Sequence, residues 1–596
     1  PADGDHILSG SDGGYQVSFD GGENFHIWRN VVLSQFYHIF VDDRDPYWVC
    51  GGLQDNGNWC GPSRTRGGAI LADEWYTVSG GDGFYTVPVP GQPWLVYSNA
   101  QGGYFRITDT RSGRTRSIEP HPWMVGSQGQ NMGQARYRFN WDAPIVVSPH
   151  DPSVVYWGGN VLFRSSDYGY SWEFISPDLT TDDPEKQLDS GGEIYNDNTA
   201  AEFHTTIYAV AESPVEAGVI WVGTDDGNVQ ITRDDGGTWT NVRDNVPGLP
   251  AEAWIQNIEA SPTEAGTRFM VVDNHRMDDF LPYVWETTDY GESWRRISDG
   301  LPQDDYAKVI RQHPENPDLL FLGMDRGLFA SLDRGESWVD IRNNLPRVSV
   351  RGIKIQPEYN DLVIGTHGVG AWILDDIQPL VELADAMAEP VYLFRMEETT
   401  DWESWRRDSN LGRSTFEGEN PRESASIDFW VAPQTLASGE VPDRVTIRIL
   451  DDAPSSVPNV IREMKDVPVE GGINRVYWDL GYAPAEPVRQ PGDEEGPSRR
   501  FGGGPPAAPG TYHAVLHAGD QEFSQPFRLR GDPEVTADQA DYEARTAAAL
   551  RGRDLESGIN DLLSSVLDIR SQVEKVPDAL AGKDVAGKEA MLATAE

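Results

Sequence analysis

Short apolar segments separated by turns rich in glycine, proline, aspartate and asparagine recur along the first 380 residues. Typical segments are VVYWGG (154–159), VIWVGT (219–224) and LLFLGM (319–324), each preceded by a proline-containing turn. Such short apolar runs, bounded by turn residues, are typical of β-strands. Their recurrence every 42 to 66 residues or so suits a four-stranded sheet repeated around an axis. The pattern predicts an all-β fold with a β-propeller of about seven blades.

One motif, Ser/Thr-x-Asp-x-Gly-x-x-aromatic, occurs five times within this region. The Asp carboxylate can accept backbone N–H bonds, the Gly can adopt positive φ, and the aromatic ring can pack below the turn. We therefore expect the aspartates of the motif to stabilise turns and not to act in catalysis: Asp20, Asp167, Asp234, Asp289 and Asp333.

The pattern changes after Asp376. Alternating strands such as RVTIRIL (444–450) predict an Ig-like β-sandwich, and helical spacing follows from Asp532. One helix is expected to start near Thr536 and a second after Gly558. The predicted domains are a propeller over 1–380, a sandwich over 391–531 with a mobile loop over 484–508, and a helical segment over 532–596. Because the chain starts without Met and stops in a helical stretch, we expect a processed chain or a fragment.

The charge and the cysteine content limit the possible partners and the cellular location of the protein. Asp and Glu outnumber Lys and Arg by 95 to 48, a formal net charge of −47, which argues against nucleic-acid partners. The sequence lacks a run of about 18 apolar residues, so no membrane span is expected. Cys50 and Cys60 flank a predicted hairpin tip. Either they form a disulfide, which is favoured and predicts a periplasmic or extracellular protein, or they are two free thiols.

The repeated motifs resemble the Asp-box (BNR) repeats of sialidase-like and sortilin-like propellers. The segments GGLQDNGNWCGPSR (51–64), RFNWDAPIVVSPHDP (138–152) and WVGTDDGNVQITRDDGGTW (221–239) resemble more narrowly the secreted bacterial proteins known as BNR-repeat glycosyl hydrolases or VPS10-like proteins. The resemblance runs from near residue 1 to about residue 530. It implies a further propeller upstream, and a substrate on the face opposite the Asp boxes.

Polar turns between second and third strands are expected on that opposite face, together with the connections that lead into each first strand. Glycoside hydrolysis needs two carboxyl groups, one protonated and one ionised. The favoured catalytic carboxyls are Asp82, Glu202, Asp225 and Asp226. Turn aspartates that bond their own backbone are the competing interpretation. The predicted ligand-binding residues are Asp55, Asn140, Trp141, His204, Trp254, His275, Arg276 and His367.

The sequence suggests one possible metal site and no other cofactor. The oxygens of Asp225, Asp226 and Asn228 are of the kind that Ca²⁺ prefers, although a plain turn explains the same residues. No Cys/His zinc spacing or phosphate-binding loop occurs in the sequence, so no cofactor other than Ca²⁺ is expected. No Tyr–Glu pair of the sialidase type stands out, which argues against sialidase activity.

Two functions from different classes fit these patterns. The first is an extracytoplasmic glycan-binding protein of glycoside hydrolase type that uses paired carboxylates. The second is a non-catalytic, sortilin-like binding or scaffold subunit. The expected partners are accordingly a carbohydrate or an extracellular protein, with an upstream propeller or a partner subunit as a further candidate.

Overall fold

A computed structural model describes residues 4–121, 132–191, 196–197, 199–405, 412, 415–452, 459–490 and 503–595. It forms two compact units, one comprising Pro1–Val381 with Ser404–Pro421 and the other Glu382–Glu403 with Arg422–Glu596. Residues 491–502 of the predicted mobile loop lie outside the described residues. Just before them, backbone N–H groups of Glu486 and Arg489 donate to Ser557 and Ser564.

The strands of the first unit are short and antiparallel, as the spacing of turn residues predicts. A three-stranded sheet comes first, with β1 (Ile7–Ser11), β2 (Gly14–Ser18) and β3 (His26–Trp28). Seven further sheets, here called blades 1 to 7, follow in chain order. Their strands are β4 (Phe36–Val41), β5 (Trp48–Leu53), β6 (Gly57–Pro62) and β8 (Tyr76–Ser79) after the short β7 (Ala69–Ile70); β9 (Gly83–Val89), β10 (Gln92–Ala100), β11 (Tyr104–Asp109) and β12 (Arg114–Ser117); and β13 (Ile145–Val147), β14 (Val155–Gly158), β15 (Leu162–Ser165) and β16 (Glu173–Phe174).

After a two-stranded sheet, blades 4 to 6 repeat the four-stranded arrangement and blade 7 has three strands. The strands are β17 (Ser190–Gly191) and β18 (Asn196–Asp197); β19 (Ile207–Glu212), β20 (Ile220–Thr224), β21 (Val229–Thr232) and β22 (Thr240–Asn241); β23 (Trp254–Ala260), β24 (Arg268–Asp273), β25 (Tyr283–Thr287) and β26 (Arg295–Arg296); β27 (Ala307–Gln312), β28 (Leu320–Met324), β29 (Gly327–Ser331) and β30 (Val339–Asp340); and β31 (Val350–Gln356), β32 (Asp361–Thr366) and β33 (Ala371–Leu374). Short 3₁₀ helices lie between strands at Ala72–Glu74, Gln101–Gly103, Met132–Gln134, Pro184–Gln187, Arg243–Asn245 and His275–Met277.

Apolar clusters between neighbouring blades close these sheets into a ring. Ile39, Tyr47 and Val49 of blade 1 form one cluster with Val363 of blade 7, and comparable clusters join the other neighbouring pairs. The strands β1 to β3 keep a sheet of their own and give blade 7 no fourth strand. The first unit is thus a β-propeller of seven blades, and the predicted fold class is confirmed.

The five Asp-containing turns share one set of hydrogen bonds. In blade 4 the Thr232 hydroxyl donates to Asp234 Oδ1 (2.8 Å) and accepts from Gly236 N (3.0 Å), while Asp234 Oδ1 also accepts from Thr238 N (2.7 Å). That backbone bond and those of Thr232 and Thr238 hydroxyls lower the pKa of Asp234. The Trp239 indole donates to Ile175 O at 3.0 Å. In blades 3 to 6 these turns join the third and fourth strands, as expected.

Cys50 and Cys60 form a disulfide, which confirms the favoured alternative. The two residues face each other in β5 and β6, and both are fully buried beside Val78 and Val96. The predicted hairpin thus places the sulfurs in register.

The second unit is a two-sheet sandwich with an adjoining helix. One sheet has the order β34-β37-β40 and the other β35-β42-β41-β38-β39, and their shared core includes Ile427, Phe429 and Trp478. The elements from residue 378 onward, of which α1 and β36 belong to the first unit, are α1 (Gln378–Val381), α2 (Leu383–Ala386), β34 (Val391–Leu393), β35 (Thr399–Asp401), β36 (Gly418–Glu419, which pairs with β7), β37 (Ala425–Val431), α3 (Pro433–Ser438), β38 (Arg444–Asp451), β39 (Val460–Pro468), β40 (Gly472–Trp478), β41 (Gly510–Ala518), β42 (Gln521–Gly531), α4 (Gln539–Glu574), α5 (Val576–Leu580) and α6 (Lys588–Ala595).

Helix α4 corrects the expectation of a helix break at Gly558. The helix begins after the capping box of Asp538 and Asp541, a few residues beyond Thr536, and continues through Gly558 to Glu574. A glycine inside a helix costs about 1 kcal/mol relative to alanine, which 36 residues of continuous hydrogen bonding outweigh. None of the described helices is long and apolar enough to cross a membrane.

Candidate functional site

The first strand of each blade, here called the inner strand, lines the axis of the propeller. Six of the seven inner strands carry an irregular register near the start of the strand, where one more residue lies on the inner strand than on its partner. Such β-bulges redirect side chains and are frequent beside functional sites. The additional residues, here called the bulge ring, are Tyr37, Tyr85, Tyr208, Gln256, Lys308 and Arg351, with Tyr85 one of two residues opposite Asn99.

The bulge ring lies near the polar turns that join second to third strands, on the face here called the polar-turn face. Below it is a cavity of about 290 Å³, lined by inner-strand residues that include Tyr85, Tyr208, Gln256, Lys308 and Arg351. It is here called the axial cavity. A ligand site is predicted on this face, but none of the bulge-ring residues is among the predicted catalytic or ligand-binding residues.

A buried carboxylate, Asp142, joins three blades at this level. Its Oδ2 lies 2.8 Å from His38 Nε2 and accepts from the Tyr208 hydroxyl at 3.1 Å. Asp142 is 4% exposed, and its Oδ1 has no hydrogen-bond partner among the residues that the structure describes. This group was missed by sequence analysis, which selected the adjacent Asn140 and Trp141.

A second buried carboxylate, Asp273, organises the cationic side of the site. It contacts Lys308 Nζ at 2.6 Å and His275 Nδ1 at 2.5 Å. Burial alone would raise the pKa of Asp273, but these two partners hold it well below its ordinary value. His275 stacks on Tyr306 with ring centroids 4.6 Å apart, so the predicted ligand residue is fixed against an aromatic wall.

Arg276, Trp254 and His204, all predicted ligand residues, come together beside this group. The Arg276 guanidinium lies 4.0 Å from the Trp254 ring centroid, a cation–π arrangement, and the His204 ring meets Trp254 edge-on at 6.0 Å. The side chains of His204 and Arg276 are 26% and 49% exposed, so this cluster is open to a ligand.

Asp82 and Asp55 form the carboxyl pair of the polar-turn face. Asp82 Oδ1 accepts from Asp55 N at 2.7 Å and from the Gln54 amide at 3.3 Å. Burial raises the pKa of Asp82; the Asp55 N–H opposes this rise, and the Asp55 carboxylate reinforces it. Tyr37 donates to Gln54 and accepts from the Trp141 indole at 3.4 Å.

Asp225 and Asp226 are buried behind the polar-turn face. Asp225 is 1% exposed, and its oxygens accept from Thr206 N (2.8 Å), Thr206 Oγ1 (2.5 Å) and Asn140 Nδ2 (3.0 Å). Burial raises the pKa of Asp225 to about 6. Asp226 accepts from Thr181 N and Oγ1 and from Thr224 Oγ1. Their oxygens therefore serve the fold.

Glu202 and His367 occupy different settings from those expected. Glu202 accepts from the backbone N–H (2.8 Å) and the hydroxyl (3.1 Å) of Thr199, a local turn, and no contact joins it to His204. His367 Nδ1 lies 3.1 Å from Phe36 O, where blade 7 meets blade 1. Burial, with a contribution from nearby Arg351, lowers the pKa of His367 to about 4, so its ring is neutral at pH 7.

A sequence signal for the bulge ring does exist. Some inner strands carry two residues between consecutive core residues at the bulge, as in Phe36-Tyr37-His38-Ile39, Ile255-Gln256-Asn257-Ile258 and Val350-Arg351-Gly352-Ile353. A regular strand places one residue between two core positions, so this spacing breaks the alternation.

Among the described residues, no group of three or more His, Cys, Asp or Glu side chains is arranged to hold a metal ion. The carboxylate oxygens of the suggested Ca²⁺ ligands Asp225 and Asp226 already accept hydrogen bonds from threonine and asparagine donors. The site therefore offers hydrogen bonds, aromatic surfaces and charged side chains to a ligand.

No protein-family model matches the chain. A xyloglucanase of a Paenibacillus species is 31% identical over 197 residues, which is 30% of this chain and 17% of that enzyme. The chain thus spans under a fifth of the length of the curated relative that it matches. The match supports a likeness to glycosyl hydrolase propellers, while the narrower resemblance to Asp-box and sortilin-like proteins stays a prediction.

Two solved structures are also similar. The GH74 xyloglucanase of Xanthomonas campestris has a TM-score of 0.41 at 15% identity, covering 83% of this chain and 74% of that one. YCF48 bound to D1 peptide has a TM-score of 0.30 at 14% identity, covering 63% of this chain and 90% of that one.

Proposed function

We propose that this propeller binds a glycan on its polar-turn face, as part of an extracytoplasmic protein of glycoside hydrolase type. The observation that carries the proposal is the grouping of carboxyl, aromatic and cationic side chains on this one face. The xyloglucanase that matches a part of the chain makes a glycan the favoured ligand. Aromatic rings at Trp141 and Trp254 supply flat surfaces for sugar rings, and nearby polar groups can bond sugar hydroxyls.

Asp82 is the proposed proton donor of this site. Burial and the neighbouring Asp55 carboxylate both favour its protonated form, which is the state that a general acid needs. A carboxyl pair in direct contact is too close to act from opposite sides of one glycosidic bond, where about 5 to 9.5 Å is typical. Asp55 is therefore proposed to hold the proton on Asp82. The second carboxylate that hydrolysis needs is proposed to come from another part of the polar-turn face.

The test is incubation of the purified chain with a glycan panel that includes xyloglucan oligosaccharides, with binding and product analysis on each sugar. We expect binding to at least one glycan, and cleavage that Asp82→Asn lowers at least 100-fold while binding persists. Asp244→Asn is the matched control, because Asp244 is exposed on blade 4. Cleavage that survives in Asp82→Asn would remove Asp82 from the mechanism, and no binding to any glycan would overturn the proposal.

A non-catalytic binding subunit is the second candidate. The supporting observation is that Glu202, Asp225 and Asp226, three of the predicted catalytic residues, accept hydrogen bonds from other groups of the protein. Binding of a glycan without any product, in the same experiment, would select this alternative. Binding of an extracellular protein in place of a glycan would point to the sortilin-like role.

An extracytoplasmic location is proposed from the disulfide. Cys50 and Cys60 are fully buried and bonded, and such structural disulfides persist in oxidising compartments. Secretion of the intact protein, followed by thiol labelling of the two cysteines before and after reduction, tests this location. Labelling without reduction would contradict it.

A further inference from the structure

The axial cavity carries more basic than acidic side chains, although the chain as a whole has a formal net charge of −47. Four basic side chains line the cavity, and two acidic ones do so. The basic residues are Lys308, Arg311, Arg351 and Lys354, and the acidic ones are Glu212 and Glu259. A local excess of positive charge in so acidic a protein needs an explanation.

Two of the four cations are balanced by the protein. Lys308 Nζ lies 2.6 Å from Asp273 Oδ2, and Arg311 lies 3.1 Å from Glu259. The remaining acid, Glu212, accepts from the backbone N–H of Gly218 at 3.3 Å at the far end of its strand. Arg351 and Lys354 are the two basic lining residues that form no ion pair among the described residues, although Glu259 also attracts Lys354.

Arg351 has no ion pair within the described part of the chain. Its Nε is buried and has no hydrogen-bond partner, and its guanidinium lies 5.5 Å from the Tyr37 ring centroid. A buried donor without a partner is costly, and guanidinium groups bind carboxylates through two parallel hydrogen bonds. The geometry of Arg351 therefore suits an anionic ligand.

Lys354, three residues further along β31, also has no ion pair among the described residues. Its Nζ lies 4.9 Å from the Phe40 ring centroid. Burial, together with repulsion from Arg311, lowers the pKa of Lys354 to about 8. An anion beside this ammonium group would relieve the repulsion.

The cavity has the size and the access that a small ligand needs. Its volume of about 290 Å³ is at the lower end of the range of roughly 300 to 1,000 Å³ for ligand pockets. The side chains of His38, Arg311 and Glu259 are 18%, 17% and 20% exposed, so solvent reaches the groups of its wall. Tyr85, Gln256 and Asn257 add polar groups that can bond hydroxyls.

We propose that the axial cavity binds a small, hydroxyl-rich carboxylate, of the sugar-acid class, with its carboxylate held by Arg351 and Lys354. This site is distinct from the Asp82 chemistry of the polar-turn face and does not depend on glycan cleavage. An acidic sugar bound here would stand on the axis directly below the bulge ring.

The experiment is calorimetric titration of the full chain with D-glucuronate, with D-glucose as the uncharged counterpart. We expect glucuronate to bind at least ten-fold more tightly than glucose, and its affinity to fall as ionic strength rises. Equal affinities for the two sugars, or no binding of glucuronate, would overturn the proposal. Because neither sugar contains a glycosidic bond, the result is separate from the test of hydrolysis.

Variants locate the binding. Arg351→Gln and Lys354→Met should each weaken glucuronate at least ten-fold, and Arg351→Lys, which keeps the charge, should lose less. Arg114→Gln is the control, because Arg114 is exposed on the outer strand β12. Thermal unfolding of each variant verifies that it folds. Wild-type affinity in both Arg351→Gln and Lys354→Met would contradict the site.

Discussion

Lys308 and Arg351 occupy equivalent positions on neighbouring inner strands, each as the additional residue of a β-bulge. Lys308 has Asp273 as a partner at 2.6 Å, whereas Arg351 has no ion pair within the described residues. The bulge explains why both long side chains line the axial cavity although their strand neighbours belong to the core. The same position in other blades carries Tyr208 or Gln256, so one backbone feature produces a ring with varied chemistry.

The burial of Asp225 predicts how stability depends on pH. Its pKa is about 6 in the folded state against an ordinary value of 3.8, so between these values the folded chain holds a proton that the unfolded chain releases. The contribution of Asp225 to stability is then largest below about pH 4 and falls as pH rises through 6, by about 3 kcal/mol at roughly 1.4 kcal/mol per pKa unit.

Asp225→Asn should remove most of this dependence, because the amide does not ionise. Urea unfolding of both proteins at pH 4 and pH 7 measures it, with the difference between them isolating Asp225 from other groups. Asp244→Asn, in the same blade and exposed, should keep the wild-type dependence. An equal pH slope in wild type and Asp225→Asn would refute the assignment.

The disulfide, which joins β5 to β6 within blade 1, should stabilise the fold. Cys50 and Cys60 are 10 positions apart, and closing a loop of this size contributes about 3 kcal/mol through the entropy of the unfolded chain. Cys50→Ala with Cys60→Ala should lower the unfolding midpoint by a corresponding amount, measured by thermal denaturation. The double variant also removes buried sulfur atoms, so reduction of the unfolded wild type followed by refolding provides an independent comparison.

Asp234 tests the Asp-containing turns. Asp234→Ala removes the acceptor for Thr232 Oγ1, Thr238 N and Thr238 Oγ1, so we expect it to lower the free energy of unfolding more than the control variant does. Asp244→Ala deletes a carboxylate from the same blade without these bonds and should change stability by less than about 0.5 kcal/mol. Chemical denaturation compares the two. Glycan binding should persist in Asp234→Ala, since the turn is on the opposite face; loss of binding with an intact fold would contradict a structural role.

Ile39 tests the closure of the ring. It is 1% exposed and packs with Val363 of blade 7, and a Cβ built on Gly352 would lie only 2.8 Å from Ile39 N. Ile39→Ala should cost about 2 to 5 kcal/mol, because the packed interface cannot fill the cavity. Ile27→Ala is the matched control, since Ile27 is 53% exposed. Backbone hydrogen exchange in strands β4 and β31 should be faster in Ile39→Ala than in the wild type, because these strands meet where the ring closes.

Much of the fold could be predicted from local sequence. The Asp-containing turns were located between third and fourth strands in blades 3 to 6 because Asp, Gly and an aromatic residue at fixed spacing define one turn geometry. Cys50 and Cys60 could be paired because a short turn between their strands fixes the register. The predicted break at Gly558 was wrong, because a single glycine does not end a helix whose hydrogen bonds continue on both sides of it.

The candidate site was less accessible to sequence reasoning. Residues such as Trp254 and Arg276 could be assigned to the correct face from the order of strands. Asp225 and Asp226 belong to a polar turn, but the sequence could not reveal that Thr206 and Thr181 enclose them. Asp142 was missed because its partners, His38 and Tyr208, come from two other blades.

The sequence by itself determined the strands, the turns and the faces to which the turns belong, and it favoured the disulfide, because these depend on contacts between residues close along the chain. The tertiary structure alone decided which charges meet at the axis. Lys308 and Asp273 are 35 positions apart, and His38 and Asp142 are 104 apart. Their contacts depend on the closure of seven blades and on bulges that redirect single side chains. Neither the closure of the ring nor the bulges can be read from local periodicity, because both depend on packing between blades.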